Sequence, residues 1–251
     1  MLLLIGAGGA VAGYFFLVKP MLEKKQVVVV DYPRLEQPTP VVISTPEPRN
    51  TKSDNPKLEV PPYSAPADAV QFVNSKAKLD GKLAEHYVDF SFYYPKTWLK
   101  DPKAGVAGAS NFAKVERRLP PDFTQENFAV GWYSSTGSKE GDQAVFPSLA
   151  ENLSKQFARS FAEYRKVSEG PTKAGVYDGY EFRFESVSRH TEHGDIKIWG
   201  RVIFLPPVDG SNNGVTLLML TTSLAPELKS VDDVGVKGEL PMMLQSFRFG
   251  K

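Results

Sequence analysis

Apolar residues are spaced in two different ways along this chain. Residues 2–18 form an unbroken uncharged run with no periodicity. As a helix, 18 residues from Met1 span about 27 Å, close to the roughly 30 Å hydrocarbon core of a bilayer. Lys19 follows at the boundary, where its long stem can snorkel to the interface, and Tyr14 and Phe16 suit that same end. Residues 1–19 therefore read as a transmembrane anchor in contact with membrane lipid. A cleaved signal peptide fits less well, because no basic segment precedes the run and Ala10–Ala12 lies inside it. A dinucleotide loop is excluded: Gly6, Gly8 and Gly9 follow an apolar tetrad, but Val11 stands where the third glycine belongs. Gly9 and Gly13 form a GxxxG spacing, which would let a second membrane helix pack closely.

Residues 20–66 lose this pattern and hold ten of the 20 prolines. Proline fixes φ and pushes its predecessor into extended backbone, so the segment reads as a polyproline-type stalk. Between residues 31 and 66 its contour approaches about 110 Å at about 3.1 Å per residue. Membrane sidedness is pulled two ways. Lys19, Lys24 and Lys25 follow the anchor and nothing basic precedes it, which favours a cytoplasmic domain. A long stalk suits a domain held off an outer face, and the expectation adopted is extracytoplasmic (periplasmic).

From residue 67 onward the apolar positions become periodic. Alternation marks strands at 87–94, 111–117, 127–134, 177–187 and 196–205. A further strand is expected at 214–224, where residues 215–220 are apolar on both faces, as in a central strand covered on both sides. Leu149, Leu153, Phe157, Phe161 and Tyr164 recur at three and four residues, predicting a helix over 147–166 with Pro147 in its first turn. A short last helix is expected over 238–245. The turn-rich stretches Gly194–Asp195 and 206–214 separate successive strands in a meander, which argues for antiparallel pairing. The expected fold of 67–251 is α+β, an antiparallel sheet sandwiched by helices and preceded by one transmembrane helix.

Charge and composition narrow the function. The chain has 30 Lys and Arg against 29 Asp and Glu; seven and six of these lie in 19–66, which leaves 23 of each in the domain. A neutral domain lacks the basic field that generic nucleic-acid binding requires. There is no cysteine, so disulfides, thiolate nucleophiles and Cys-ligated metals are excluded.

Candidate chemistry is sparse. His190, Glu192 and His193, followed by Asp195, make the one cluster with metal-ligand character. It falls in a predicted hairpin loop, where the helical H-x-x-E-H geometry is not available. A metal-dependent hydrolase built on His190, Glu192 and His193 stands as the enzymatic alternative. Ser134, Ser135 and Ser223 lack a nucleophile-elbow context. Asp101, Asp122, Asp232 and Asp233 read as solvated loop carboxylates, and residues 235–238 lack the Gly-Lys-Ser/Thr ending of a phosphate loop. Trp98, Trp132 and Trp199 read as core or rim aromatics. No cofactor and no catalytic residue is expected.

The segment Phe90-Ser91-Phe92-Tyr93-Tyr94-Pro95-Lys96-Thr97-Trp98 resembles the strand-then-Pro-x-x-Trp opening of the PsbP-like family. Tyr180-Glu181-Phe182-Arg183-Phe184 and the closing Leu244–Phe249 are similar to later parts of the same pattern, so the resemblance covers residues 80–251. It implies an α/β/α sandwich used as a binding scaffold without a catalytic centre. The anchor and stalk depart from the plant-type photosystem subunits. The functional expectation is a non-catalytic, membrane-tethered accessory or assembly subunit that binds a membrane protein complex. A cytoplasm-facing regulatory module is the remaining alternative.

Overall fold

The computed structural model describes residue 60 and residues 62–250. The anchor, Gly9 and Gly13, and all but the last few stalk residues lie outside the described residues. Among the described residues no helix is long and apolar enough to cross a membrane.

Ten strands and three α-helices follow in the order β1 (Ala69–Val73), α1 (Gly81–Glu85), β2 (Phe90–Pro95), β3 (Leu99–Lys100), β4 (Asn111–Leu119), β5 (Phe123–Ser134), α2 (Lys139–Ser160), β6 (Arg165–Ala174), β7 (Tyr177–Thr191), β8 (Gly194–Leu205), β9 (Asn213–Thr222), α3 (Leu240–Ser246) and β10 (Arg248–Phe249). Seven strands form one antiparallel sheet in the order β3-β4-β5-β9-β8-β7-β6, and three form a smaller one, β1-β2-β10. The apolar run expected at the centre of the sheet is β9, flanked by β5 and β8 and buried along nearly its whole length.

After β5 the chain leaves the middle of the large sheet and re-enters at its far edge as β6. α2 makes that crossing and packs Phe146, Ala150, Leu153 and Phe157 over Phe182, Phe184, Val202 and Phe204. The helix begins eight residues before the expected start. Ser138 caps it by accepting the Gly141 N–H at 3.1 Å, and Glu140 and Asp142 complement the N-terminal dipole. Pro147 lies inside the helix and does not start it. The helix also ends early. The chain turns out at Phe161, Glu163 takes a left-handed φ of 52°, and Tyr164 reaches the same core from outside the helix, sharing a hydrogen bond with Ser154 at 2.7 Å. The predicted tail of the helix gives way to β6, an edge strand exposed along most of its length; without apolar alternation it leaves no strand signature.

The opposite face departs from the expected helix layer. It is covered mainly by the small sheet, with α1, α3 and the β9–α3 connection (residues 223–239) filling the remainder. Phe90, Phe92, Leu240, Met243 and Phe247 meet Val115, Phe128, Leu217 and Met219 of the large sheet in one buried cluster. β2 pairs with β1 and β10 instead of joining the large sheet, so segments from both ends of the described chain build this layer. Val60 packs against the same cluster, and the Tyr63 ring lies 5.8 Å from that of Tyr93.

Gly200 on β8 pairs directly with Phe184 on β7. A Cβ at Gly200 would come within 2.1 Å of the Phe184 ring. Gly200→Ala is expected to lower stability by about 1–3 kcal/mol through overpacking, read as an earlier urea midpoint with unchanged slope.

Candidate functional site

The Pro-x-x-Trp segment is a turn that delivers one side chain. Trp98 N–H donates to the Pro95 carbonyl at 3.0 Å, closing the turn after β2. The indole is buried, and its Nε1–H donates to Glu239 Oε2 at 2.7 Å. Glu239 stands at the end of the β9–α3 connection, which crosses the large sheet on the small-sheet side with Ala225, Leu228, Val231 and Val234 buried beneath it.

Two arginine systems hold this connection to the sheet. In the first, Glu181 on β7 receives Arg183 Nε at 2.8 Å and Arg201 Nε at 2.7 Å. Arg183 Nη1 then donates to the Val231 carbonyl at 2.9 Å, and Arg201 also reaches the Thr172 hydroxyl at 3.2 Å. Burial pushes Glu181 upward, but the Arg201 charge, the Thr172 hydroxyl and Arg183 outweigh it and hold the carboxyl below its usual range. Two cations face one anion, and the surplus is directed at backbone carbonyls. The carboxylate here is fully matched.

The second system is not matched. Arg117 on β4 faces three carboxylates: Glu227 Oε1 at 2.5 Å, Glu126 Oε2 at 3.1 Å and Glu239 Oε2 at 3.6 Å. Glu126, on β5, is fully buried, and the groups that favour its charged form are Arg117 and the Glu239 backbone N–H. Gly238 (φ +72°) passes so close that a Cβ there would lie 2.6 Å from Glu126 Oε1. Burial, with the charges of Glu227 and Glu239 added, pushes the Glu126 carboxyl up to about 7 against the pull of Arg117 and of the Glu239 backbone hydrogen bond. Glu227, with its backbone hydrogen bond and the guanidinium beside it, overcomes its own burial and stays below its usual range. One guanidinium among three carboxylates leaves surplus negative charge at a partly open surface, since Glu227 and Glu239 are each about one-third exposed. Such a site can take up a proton or receive a cationic side chain.

Of the four loop carboxylates expected to be solvated, Asp232 is exposed and the other three are engaged. Asp101 is buried and pairs with Lys114 at 3.0 Å. Asp233 is buried in a capping box, taking the Lys229 N–H at 2.8 Å and Lys237 Nζ at 2.8 Å. Asp122 pairs with Arg118, as does Glu116. Ser135 donates to Asp142 at 2.7 Å, and Ser223 Oγ accepts the Lys197 N–H at 3.1 Å.

His190, Glu192 and His193 sit at the exposed β7–β8 hairpin tip, and the structure does not gather them into a ligand set. His190 adopts φ 58°, His193 turns edge-on to Phe123 at 4.4 Å, and Asp195 is engaged by Arg189 at 2.5 Å. Among the described residues no group of three or more His, Asp or Glu could hold a metal ion. Hairpin geometry is the reason: Thr191 pairs with Gly194 across the turn, which sends the side chains outward in different directions. Trp199 is buried. Trp132 stacks on His86 with ring centroids 3.5 Å apart, and His86 Nδ1 lies 3.0 Å from Asn213 Oδ1. This pairing, at the opposite end of β5 from Glu126, has no signature in the sequence.

The buried carboxyl makes stability depend on pH in a defined direction. Glu126 binds its proton more tightly folded (about 7) than at its ordinary value of 4.5, so the native state holds more protons between those limits and stability falls as pH rises through them. The loss is on the order of 3 kcal/mol at about 1.4 kcal/mol per unit. Urea midpoints from pH 4.5 to 8 should show this decline in the parent and its disappearance in Glu126→Gln; superimposable profiles would contradict the assignment.

No family model matches the sequence, and no curated protein matches it. Among solved structures the chain is similar to the cyanobacterial PsbP protein (CyanoP) of Synechocystis sp. PCC 6803, at 12% identity and TM-score 0.43, over 76% of this chain and 98% of that one. It is also similar to LpqN of Mycobacterium tuberculosis, described as involved in cell envelope biogenesis, at 5% identity and TM-score 0.40, over 73% and 92%. The Saccharomyces cerevisiae Ran-binding protein Mog1p matches at 14% identity and TM-score 0.35, over 64% and 89%. These are likenesses of fold.

Proposed function

We propose that this chain is a non-catalytic binding domain, tethered to a membrane through residues 1–19 and the stalk of residues 20–66, that docks on a membrane protein assembly. The contact point is the partly open rim of the acidic cluster, Glu227 and Glu239 above the buried Glu126, and it receives a Lys or Arg side chain of the partner. The observation that carries this reading is the under-neutralised carboxylate of Glu126, buried beside a single guanidinium already shared with two other acids. An incoming cation would complete a charge balance that the chain leaves open, and desolvated charge pairs of that kind set register and partner choice. The uncharged run at 2–18 and the prolines that follow supply the tether, which raises the local concentration of the domain near a membrane partner. The domain faces the extracytoplasmic side.

The test is cross-linking and co-purification of the full-length protein from native membranes in mild detergent. A specific membrane partner should be recovered at low salt and lost at high salt. It should also be lost from the Glu126→Gln/Glu227→Gln/Glu239→Gln variant, with the fold verified by circular dichroism. Recovery of no specific partner, or of one indifferent to the triple substitution, contradicts the proposal. Protease added to intact cells or spheroplasts should digest the domain; digestion only after lysis would place it in the cytoplasm.

A further inference from the structure

A sheet edge is a row of unpaired N–H and C=O groups, and chains that stay monomeric blunt their edges with bulges, prolines, charges or brevity. The large sheet follows that rule. At one edge, β6 carries a bulge between Lys166 and Ser168, Pro171, and the charged Arg165, Lys166, Glu169 and Lys173. At the other, β3 is two residues long. β1 of the small sheet has none of these protections: Ala69-Val70-Gln71-Phe72-Val73 contains no charge, proline or bulge, and Val70 and Val73 are 36% and 40% exposed.

The hydrogen-bond parity shows which groups point outward. Asn74 N–H donates to the Phe90 carbonyl and Lys96 N–H to the Asp68 carbonyl, both at 2.9 Å. Even-numbered residues of β1 therefore exchange bonds with β2, and odd-numbered ones face away. The Ala69 N–H is taken by the Pro66 carbonyl at 3.1 Å. Gln71 and Val73 are left, each with an outward N–H and C=O that have no partner among the described residues.

We infer that β1 is a homodimerisation edge, on which a second copy of this chain adds its own β1 antiparallel about a two-fold axis at Phe72. In that register Gln71 of each copy faces Val73 of the other. The outward donors and acceptors of Gln71 and Val73, four of each in the pair, become paired, and the two small sheets join into one of six strands. The same register brings Asp68 of one copy level with Lys76 of its partner, twice, and both are exposed in the single chain. Asp68 lies in the turn that precedes β1, and Lys76 opens a 3-10 turn (Lys76–Lys78) directly after the extended Ser75 (φ −139°, ψ 122°), so the two charges stand just beyond the two ends of the strand. Charge complementarity selects this occupant over an arbitrary extended peptide, because the sequence is its own complement about Phe72. The inference does not depend on the acidic cluster.

The test is sedimentation equilibrium of the full chain in mild detergent, carried out in a Gly9→Ile/Gly13→Ile background so that close approach of apolar helices cannot supply the dimer. A monomer–dimer equilibrium is expected, with amide exchange at Gln71 and Val73 slowing as concentration rises. Val73→Pro should abolish the dimer while leaving circular dichroism and thermal unfolding near the parent, since that N–H is not used by β2. Asp68→Lys should weaken dimerisation about tenfold, and Asp68→Lys/Lys76→Asp should restore it. The inference is overturned by a chain that stays monomeric, by a dimer indifferent to Val73→Pro or to the charge exchange, or by Gln71 and Val73 amides protected only when a different protein is added.

Discussion

Strands β5 and β9 run side by side at the centre of the large sheet, paired from Glu126–Thr221 to Ser134–Asn213, and both are covered on their two faces. This pairing joins β3-β4-β5 to the β6–β9 meander, and it forces the rest of the layout. The chain must leave β5 and return at the far edge, so a helix long enough to cross the sheet has to lie over one face. The other face then needs a second cover, drawn from the small sheet and residues 223–239. Each cover buries an aromatic-rich cluster, Phe146, Phe157, Phe182 and Phe204 on one side and Phe90, Phe92, Phe128 and Phe247 on the other.

The same pairing explains why a carboxylate is buried. Glu126 shares the inward parity of Phe128 and Val130, so the strand that supplies the core also places an acid at its end, beneath the connection. Burial of an ionised group is costly unless it is paired and hydrogen-bonded. The Glu181 system meets that requirement with two guanidiniums and a hydroxyl; the Glu126 system meets it only in part, with one guanidinium divided three ways. The contrast, on one face of one sheet, separates a structural clamp from a site with charge left to satisfy. β1 offers the comparable contrast in backbone groups, an open edge in a chain that closes its other edges.

Much of the architecture could be read from local pattern. The meander from residue 177 onward and the two-sided apolar run that became β9 follow from composition and period, because side-chain alternation reports which face of a strand is wet. The resemblance around Pro95 and Trp98 pointed to the same class of fold. Tertiary structure alone decided the start of α2, where Ser138 and Asp142 outweighed the helix-start signal of Pro147. It also decided that 165–174 is an edge strand, since an edge needs no apolar face and leaves no period to detect. The acidic cluster was invisible for a different reason: Arg117, Glu126, Glu227 and Glu239 are far apart in sequence, and each alone reads as an ordinary polar residue. Periodicity encodes burial along one element, whereas charge balance is a sum over whatever the fold brings within a few ångströms.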